Sequence, residues 1–395
     1  MSKFLFSLFL LFSFGIILYG AVIDYLFPSI ASNFNFYSVH YNVASVMTTF
    51  LVGFVVCVIS RLLIIQLYFD PLKKNLNFYN FTIIMKTKGP ILGFFSGFIF
   101  FCVDGVTFLP ERVGYVIEGG SFFSTIYAIS GLCGLICIPL LALAWNSKSR
   151  FLKIICLILF LLVLLCYFAK ASRVFVLGAI IYLTVAYYSG AKFSKFILFF
   201  VFSLTPISMS FIYELRGQLV QGLIPFLSFL FQGDSEYTIS ELFFSFFISF
   251  SGSYYIFMET VNRAYWIDFK DLWVSINPQF GSAAGWVDVF EEYRIVEAVP
   301  YSSIGEVIAY SNSFFYFFCF LLGVVFAKSE INFRYGRVIG VAQISILLYM
   351  AILMPQYNLR SIFRFFYLVL LLEAVLVIMI YKSKIFYSNS FSRYR

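Results

Sequence analysis

Ten apolar blocks, each near the ~20 residues that a helix needs to cross a bilayer, dominate this sequence. They cover 4–27, 43–68, 89–109, 121–145, 154–169, 174–190, 196–213, 305–327, 338–355 and 361–381. The chain is 62% hydrophobic and only 12% charged, with a mean hydropathy of +0.94, which excludes an ordinary soluble domain. The expected fold is therefore an all-α polytopic integral membrane protein, one membrane domain over 1–395. The first block lacks an A-x-A-like cleavage site and is too long for a signal-peptide core, so it is expected to stay as a span. The blocks at 154–169 and 174–190 are short, and the turn from Lys170 to Arg173 between them is expected to dip into the membrane surface.

The connections alternate in charge. One set holds Lys3, the Lys73–Lys88 and Lys148–Lys153 groups, Lys192, Lys195, Lys328, Arg334, Arg337 and the basic end beyond Lys382. That set has 17 basic residues against two acids, Asp70 and Glu330. The positive-inside rule puts this side in the cytoplasm together with both termini. The other side then carries the long stretch 214–303, which holds most of the acids and three of the four tryptophans. Two apolar pieces interrupt it, 219–231 and 242–258, the second broken by Ser251, Gly252 and Ser253. Both cross or neither does, because a single crossing would invert the Lys328/Arg334/Arg337 cluster. Ten spans, with both pieces lying interfacial or re-entrant against the bundle, is the favoured topology; twelve is the alternative.

The chemistry is bounded by what is missing. There is no P-loop, no G-x-G-x-x-G, no D-x-D and no H-E-x-x-H. His40 is the only histidine, and the seven cysteines all lie inside apolar blocks without metal-ligand spacing. No metal and no cofactor are expected. The net charge of +8 is accounted for by the span ends, so nucleic acid is not an expected partner; the lipid bilayer is.

The positive signal is a set of arginines on the side that the positive-inside rule depletes. Arg173 opens the sixth block, Arg216 closes the seventh, and Arg360 and Arg364 open the tenth, four residues apart on one helix face. A helix N-terminus with a guanidinium beside it suits a phosphate; snorkelling to the headgroups is the alternative. Glu306, three residues after Ser303, either closes a capping box or orients a sugar hydroxyl. Asp104, an intramembrane acid, is a functional candidate or a partner of Arg112. Trp266, Trp273 and Trp286 stack on sugar rings or form an interfacial aromatic belt. Two more charges, Arg61 and Glu373, fall at similar depth in the inner halves of the second and tenth blocks. They are expected to pair, making those spans neighbours; separate snorkelling and protonation is the alternative.

Three short motifs resemble those of the bacterial Wzy-type repeat-unit polymerases of O-antigen and capsule synthesis. They are Ser172-Arg173-Val-Phe-Val-Leu-Gly178, Ser303-Ile-Gly305-Glu306 and Leu359-Arg360-Ser361, where Ser361 replaces a common glycine. The layout, with a large loop late in the chain, is similar too. The resemblance implies a GT-C-like membrane glycosyltransferase in the bacterial inner membrane, with 214–303 as its periplasmic loop. Its substrate would be an undecaprenyl-diphosphate-linked oligosaccharide, and a chain-length regulator protein would be a further partner. Arg173, Arg216, Arg360 and Arg364 would bind the diphosphate, Trp266, Trp273 and Trp286 the sugars, and Glu306 or Asp104 would serve as base. An O-antigen-ligase-like transferase and a non-enzymatic transporter remain open. Such ligases usually carry a functional histidine in the external loop, and none is present at 214–303.

Overall fold

Inside hydrocarbon a backbone can satisfy its N–H and C=O groups only within its own helix or a closed barrel. The chain takes the first course. The computed structural model describes residues 2–33, 43–72, 78–113, 121–172, 174–189, 191, 208, 211–212, 215, 218, 220–231, 239–263, 268–278, 295, 301–335 and 337–392. Among these, seven helical segments are long and apolar enough to cross a membrane: Leu5–Leu26, Val43–Leu67, Lys88–Phe108, Ile129–Asn146, Arg150–Ala169, Asn312–Arg334 and Leu359–Ile378. Val174–Tyr187 and Ile339–Leu353 are shorter apolar helices. This is the architecture of an all-α, multi-pass membrane protein. The expected block at 196–213 lies almost wholly outside the described residues.

The chain forms two compact units, one of Met1–Leu76 with Phe250–Arg395, the other of Asn77–Ser249. The first unit begins with α1 (Ser2–Leu10) and α2 (Ile16–Leu26), joined by a π-helical turn, and α3 (Val43–Leu72). The second contains α4 (Phe78–Phe100), α5 (Ser121–Ala142), α6 (Arg150–Ala169), α7 (Val174–Tyr188) and α8 (Leu223–Phe231). A two-residue antiparallel pair, β1 (Arg112–Val113) with β2 (Val220–Gln221), closes its loops. The boundary between units falls inside α9 (Ile239–Arg263). The first unit continues with α10 (Phe269–Ile276), α11 (Ser303–Tyr310), α12 (Asn312–Arg334), α13 (Val338–Leu353) and α14 (Leu359–Ser392).

Three expectations change. The helix α9 runs unbroken through Ser251, Gly252 and Ser253. Both serines are buried, and Ser253 accepts a hydrogen bond from Gln356, so small polar residues here are helix-packing contacts and not a break. The block 305–327 is two helices, parted at Ser311, whose backbone is extended at φ −169° and ψ 135°. The span that follows continues to Arg334 and takes Glu330, expected in a loop, into the protein interior.

Glu330 also overturns the expected Arg61–Glu373 pair. Arg61 donates to Glu330 Oε2 from Nε at 2.8 Å and lies 2.7 Å from it through Nη2. Arg334, one turn further along α12, binds the other carboxylate oxygen. Glu373 instead accepts from the amides of Asn332 at 2.6 Å and Gln343 at 3.0 Å. The close approach of α3 and α12 depends on Gly323, where a side chain would run into Ser60 and the Cys57 carbonyl.

The two acids should therefore respond differently to neutralisation. Glu330→Gln takes the carboxylate from the buried Arg61, a change that costs about 3–5 kcal/mol when a buried pair is broken. Glu373→Gln keeps an acceptor for both amides. Melting of the detergent-purified protein should fall sharply in the first variant and little in the second. Equal losses would contradict this division.

Candidate functional site

The junction of α10, α11 and α14 in the first unit brings together most of the described site candidates. Each helix starts for a local reason. Asp268 caps α10 by accepting from the Asp271 N–H at 2.9 Å, and Ser302 caps α11 by accepting from Gly305. Gly305 then sets how closely α11 can lie on α9: a Cβ there would sit 2.8 Å from Thr260 Cβ and 2.9 Å from the Phe257 carbonyl oxygen. Ser302 N–H donates to Thr260 Oγ1 at 2.8 Å, Ser303 N–H to the Tyr357 carbonyl at 2.8 Å, and Ser303 Oγ to the Met354 carbonyl at 2.9 Å. The start of α11 is thereby stitched to the turn that launches α14.

Glu306 sits one turn into α11, 1% exposed. It does not close a capping box with Ser303, one of the two readings of its spacing. Its Oε1 accepts from Ser275 Oγ at 2.6 Å, and its Oε2 accepts from the Leu359 N–H, the first of α14, at 2.9 Å. Asn358 Oδ1 accepts from Ser361 N–H at 2.9 Å. Two of the amides expected to face a phosphate are therefore already capped. Arg360, 3% exposed, turns the other way and donates from Nη1 to the Val274 carbonyl, while Tyr367 donates to that of Ile276. These are last-turn carbonyls of α10, which its own helix leaves without partners. Arg364, one turn beyond Arg360, is exposed, as are Lys270 and Trp273 on α10. The other candidates on this side of the chain, Trp266, Trp286, Arg173 and Arg216, lie outside the described residues.

Asp104 lies in the second unit, in the π-helical turn Phe101–Gly105, and is fully buried. Its partners are Lys170 and Ser130, not Arg112. Arg112 donates to the Phe108 carbonyl at 3.1 Å, the Ala169 carbonyl at 3.3 Å and Gln221 Oε1 at 3.0 Å. Lys170, expected at the membrane surface, turns inward, with its Nζ 4.1 Å from the centre of the Phe108 ring. The next residue, Ala171, is held at φ 46°, a left-handed conformation that costs a residue with a Cβ on the order of 1 kcal/mol. Sequence reasoning missed Lys170, Ser130 and Ser275, because each meets its carboxylate across a fold contact that no spacing rule encodes. No group of three or more His, Cys, Asp or Glu residues able to hold a metal occurs among the described residues. Comparison of the chain with family models, with curated proteins and with solved structures finds no match.

Burial pushes the Glu306 carboxyl up from 4.5 to about 7, against the pull of its bonds from Ser275 and Leu359. A carboxyl whose pKa is raised by folding favours the folded state least when ionised. Its contribution is therefore most favourable below about 4.5 and is lost as pH rises towards 7, a span worth about 3 kcal/mol. Glu306→Gln should melt higher than wild type at pH 8, with the difference shrinking towards pH 5. A constant difference across that range would contradict the raised pKa.

Proposed function

We propose that this chain is a membrane glycosyltransferase that joins lipid-linked oligosaccharide units into a polysaccharide, as a Wzy-type polymerase does. In this reading it has ten spans and a GT-C-like fold, lies in a bacterial inner membrane with both termini in the cytoplasm, and works at the periplasmic face. The observation that carries the reading is the start of α14, where Arg364 stands exposed one turn beyond a buried Arg360. An exposed guanidinium at the end of a span lies at the level of lipid headgroups, where a lipid diphosphate would sit.

In the proposed reaction an acceptor sugar hydroxyl attacks the anomeric carbon of the growing chain. The bond from that carbon to the diphosphate breaks with its electron pair on the phosphate oxygen. The hydroxyl proton passes to solvent or to the departing diphosphate. Arg364, with the added positive charge of Arg360, offsets the charge developing on the leaving group. Glu306 and Asp104 are both buried and hydrogen-bonded, which favours a holding role over proton transfer for each.

Deletion of the gene should leave single lipid-linked repeat units accumulating. A ligase mutant would still make long lipid-linked polymer, so that outcome would overturn the polymerase reading. In the complemented strain, Arg364→Ala should lower long-chain polysaccharide about 10- to 100-fold at unchanged protein level, the range expected for a lost bond to a charged group. Lys should restore only part, since a point charge replaces a forked donor. Normal chain length in Arg364→Ala would remove it from the site.

A further inference from the structure

We propose that Glu306 is a positioning residue, whose carboxylate caps α14 from a neighbouring helix and so fixes where Arg360 and Arg364 stand. The link to catalysis rests on the polymerase reading; the cap itself does not. The Leu359 N–H is one of the donors that α14 cannot satisfy internally, and Glu306 Oε2 takes it at 2.9 Å. The other oxygen holds Ser275 at 2.6 Å, and Arg360 holds the carbonyl of the adjacent Val274. These bonds close a ring. Glu306 holds the end of α10 through Ser275, Arg360 holds it through Val274, and the backbone step from Leu359 to Arg360 completes the circuit. Rotation or sliding of the first turn of α14 would break at least two of these contacts together. Arg364 follows on the same helix, so its place at the surface is set by the same ring.

The position of α11 is itself fixed before Glu306 acts. Gly305 seats it on α9, and Ser303 binds both Tyr357 and Met354 in the turn before α14. A cap needs only an acceptor, whereas a base needs an ionisable group. Glutamine separates the two. Its carbonyl oxygen can accept from Leu359 N–H, and its amide can donate to Ser275 Oγ.

The test uses the full-length protein in detergent for hydrogen exchange, and the complemented deletion strain for the polysaccharide ladder. Glu306→Ala should speed exchange at the start of α14 about tenfold, the size expected for a lost cap, and should shorten the ladder. Glu306→Gln should keep both near wild type. A glutamine variant that is protected yet makes no polymer would overturn the positioning role in favour of proton transfer. Unchanged exchange in Glu306→Ala would overturn the cap. If deleting the gene leaves polymer unaffected, the polymerase reading fails, and the exchange data alone decide the cap.

Discussion

A carboxylate shared by two arginines inside a membrane protein constrains the first unit more than any apolar contact can. Between helices in lipid there is little hydrophobic drive to choose one register over another. A buried ion, by contrast, carries a desolvation cost of several kcal/mol unless its partner is in place. Arg61 on α3 and Glu330 on α12 are buried together, so sliding either helix by one turn would strand both charges. Gly323, about two turns before Glu330, lets the helices approach closely enough for the pair to form. Small residue and ion pair work as one device.

The two ends of α12 and α14 are held by different chemistry. Glu330 lies 18 residues into α12, roughly 27 Å from its start, and Glu373 14 residues into α14, roughly 21 Å from its start. At that depth the bonds run through charges and primary amides: Arg61, Arg334, Asn332 and Gln343. At the starting end of α14, the bonds to Glu306 come from a backbone amide and a serine. The ion-paired end resists rearrangement because every shift exposes a charge. At the other end Glu306 meets neutral donors, and the one charged donor, Arg360, is satisfied by a backbone carbonyl in place of a counter-ion.

The spans were legible because about twenty consecutive apolar residues have one stable form in lipid. The finer features were not. Ser251, Gly252 and Ser253 look like a break by composition, yet the two buried serines are packing surface in α9. Ser311 opens the cap-prone run Ser311-Asn312-Ser313, a sign of the extended step between α11 and α12 that the apolar residues on either side outweigh. Arg61 and Glu373 do each have buried polar partners, though not each other, and the basic residues around Glu330 have the composition of a loop. Once the helix continues to Arg334, Glu330 is the closer claim on Arg61. Glu306 and Arg360 were legible as functional candidates; Ser275, which binds Glu306 across 31 residues, was not.

Arg360 and Arg364 illustrate the limit of helical spacing as evidence. Four residues apart, they read as a matched pair on one face. In the fold they diverge. Arg360 is buried and spends a donor on an orphan carbonyl of α10, while Arg364 remains exposed. The first ties to α10 the helix start from which the second follows. In the proposed reading, a phosphate arriving at Arg364 would meet a donor on a backbone held by the Glu306 and Arg360 bonds, so less ordering entropy would be lost on binding.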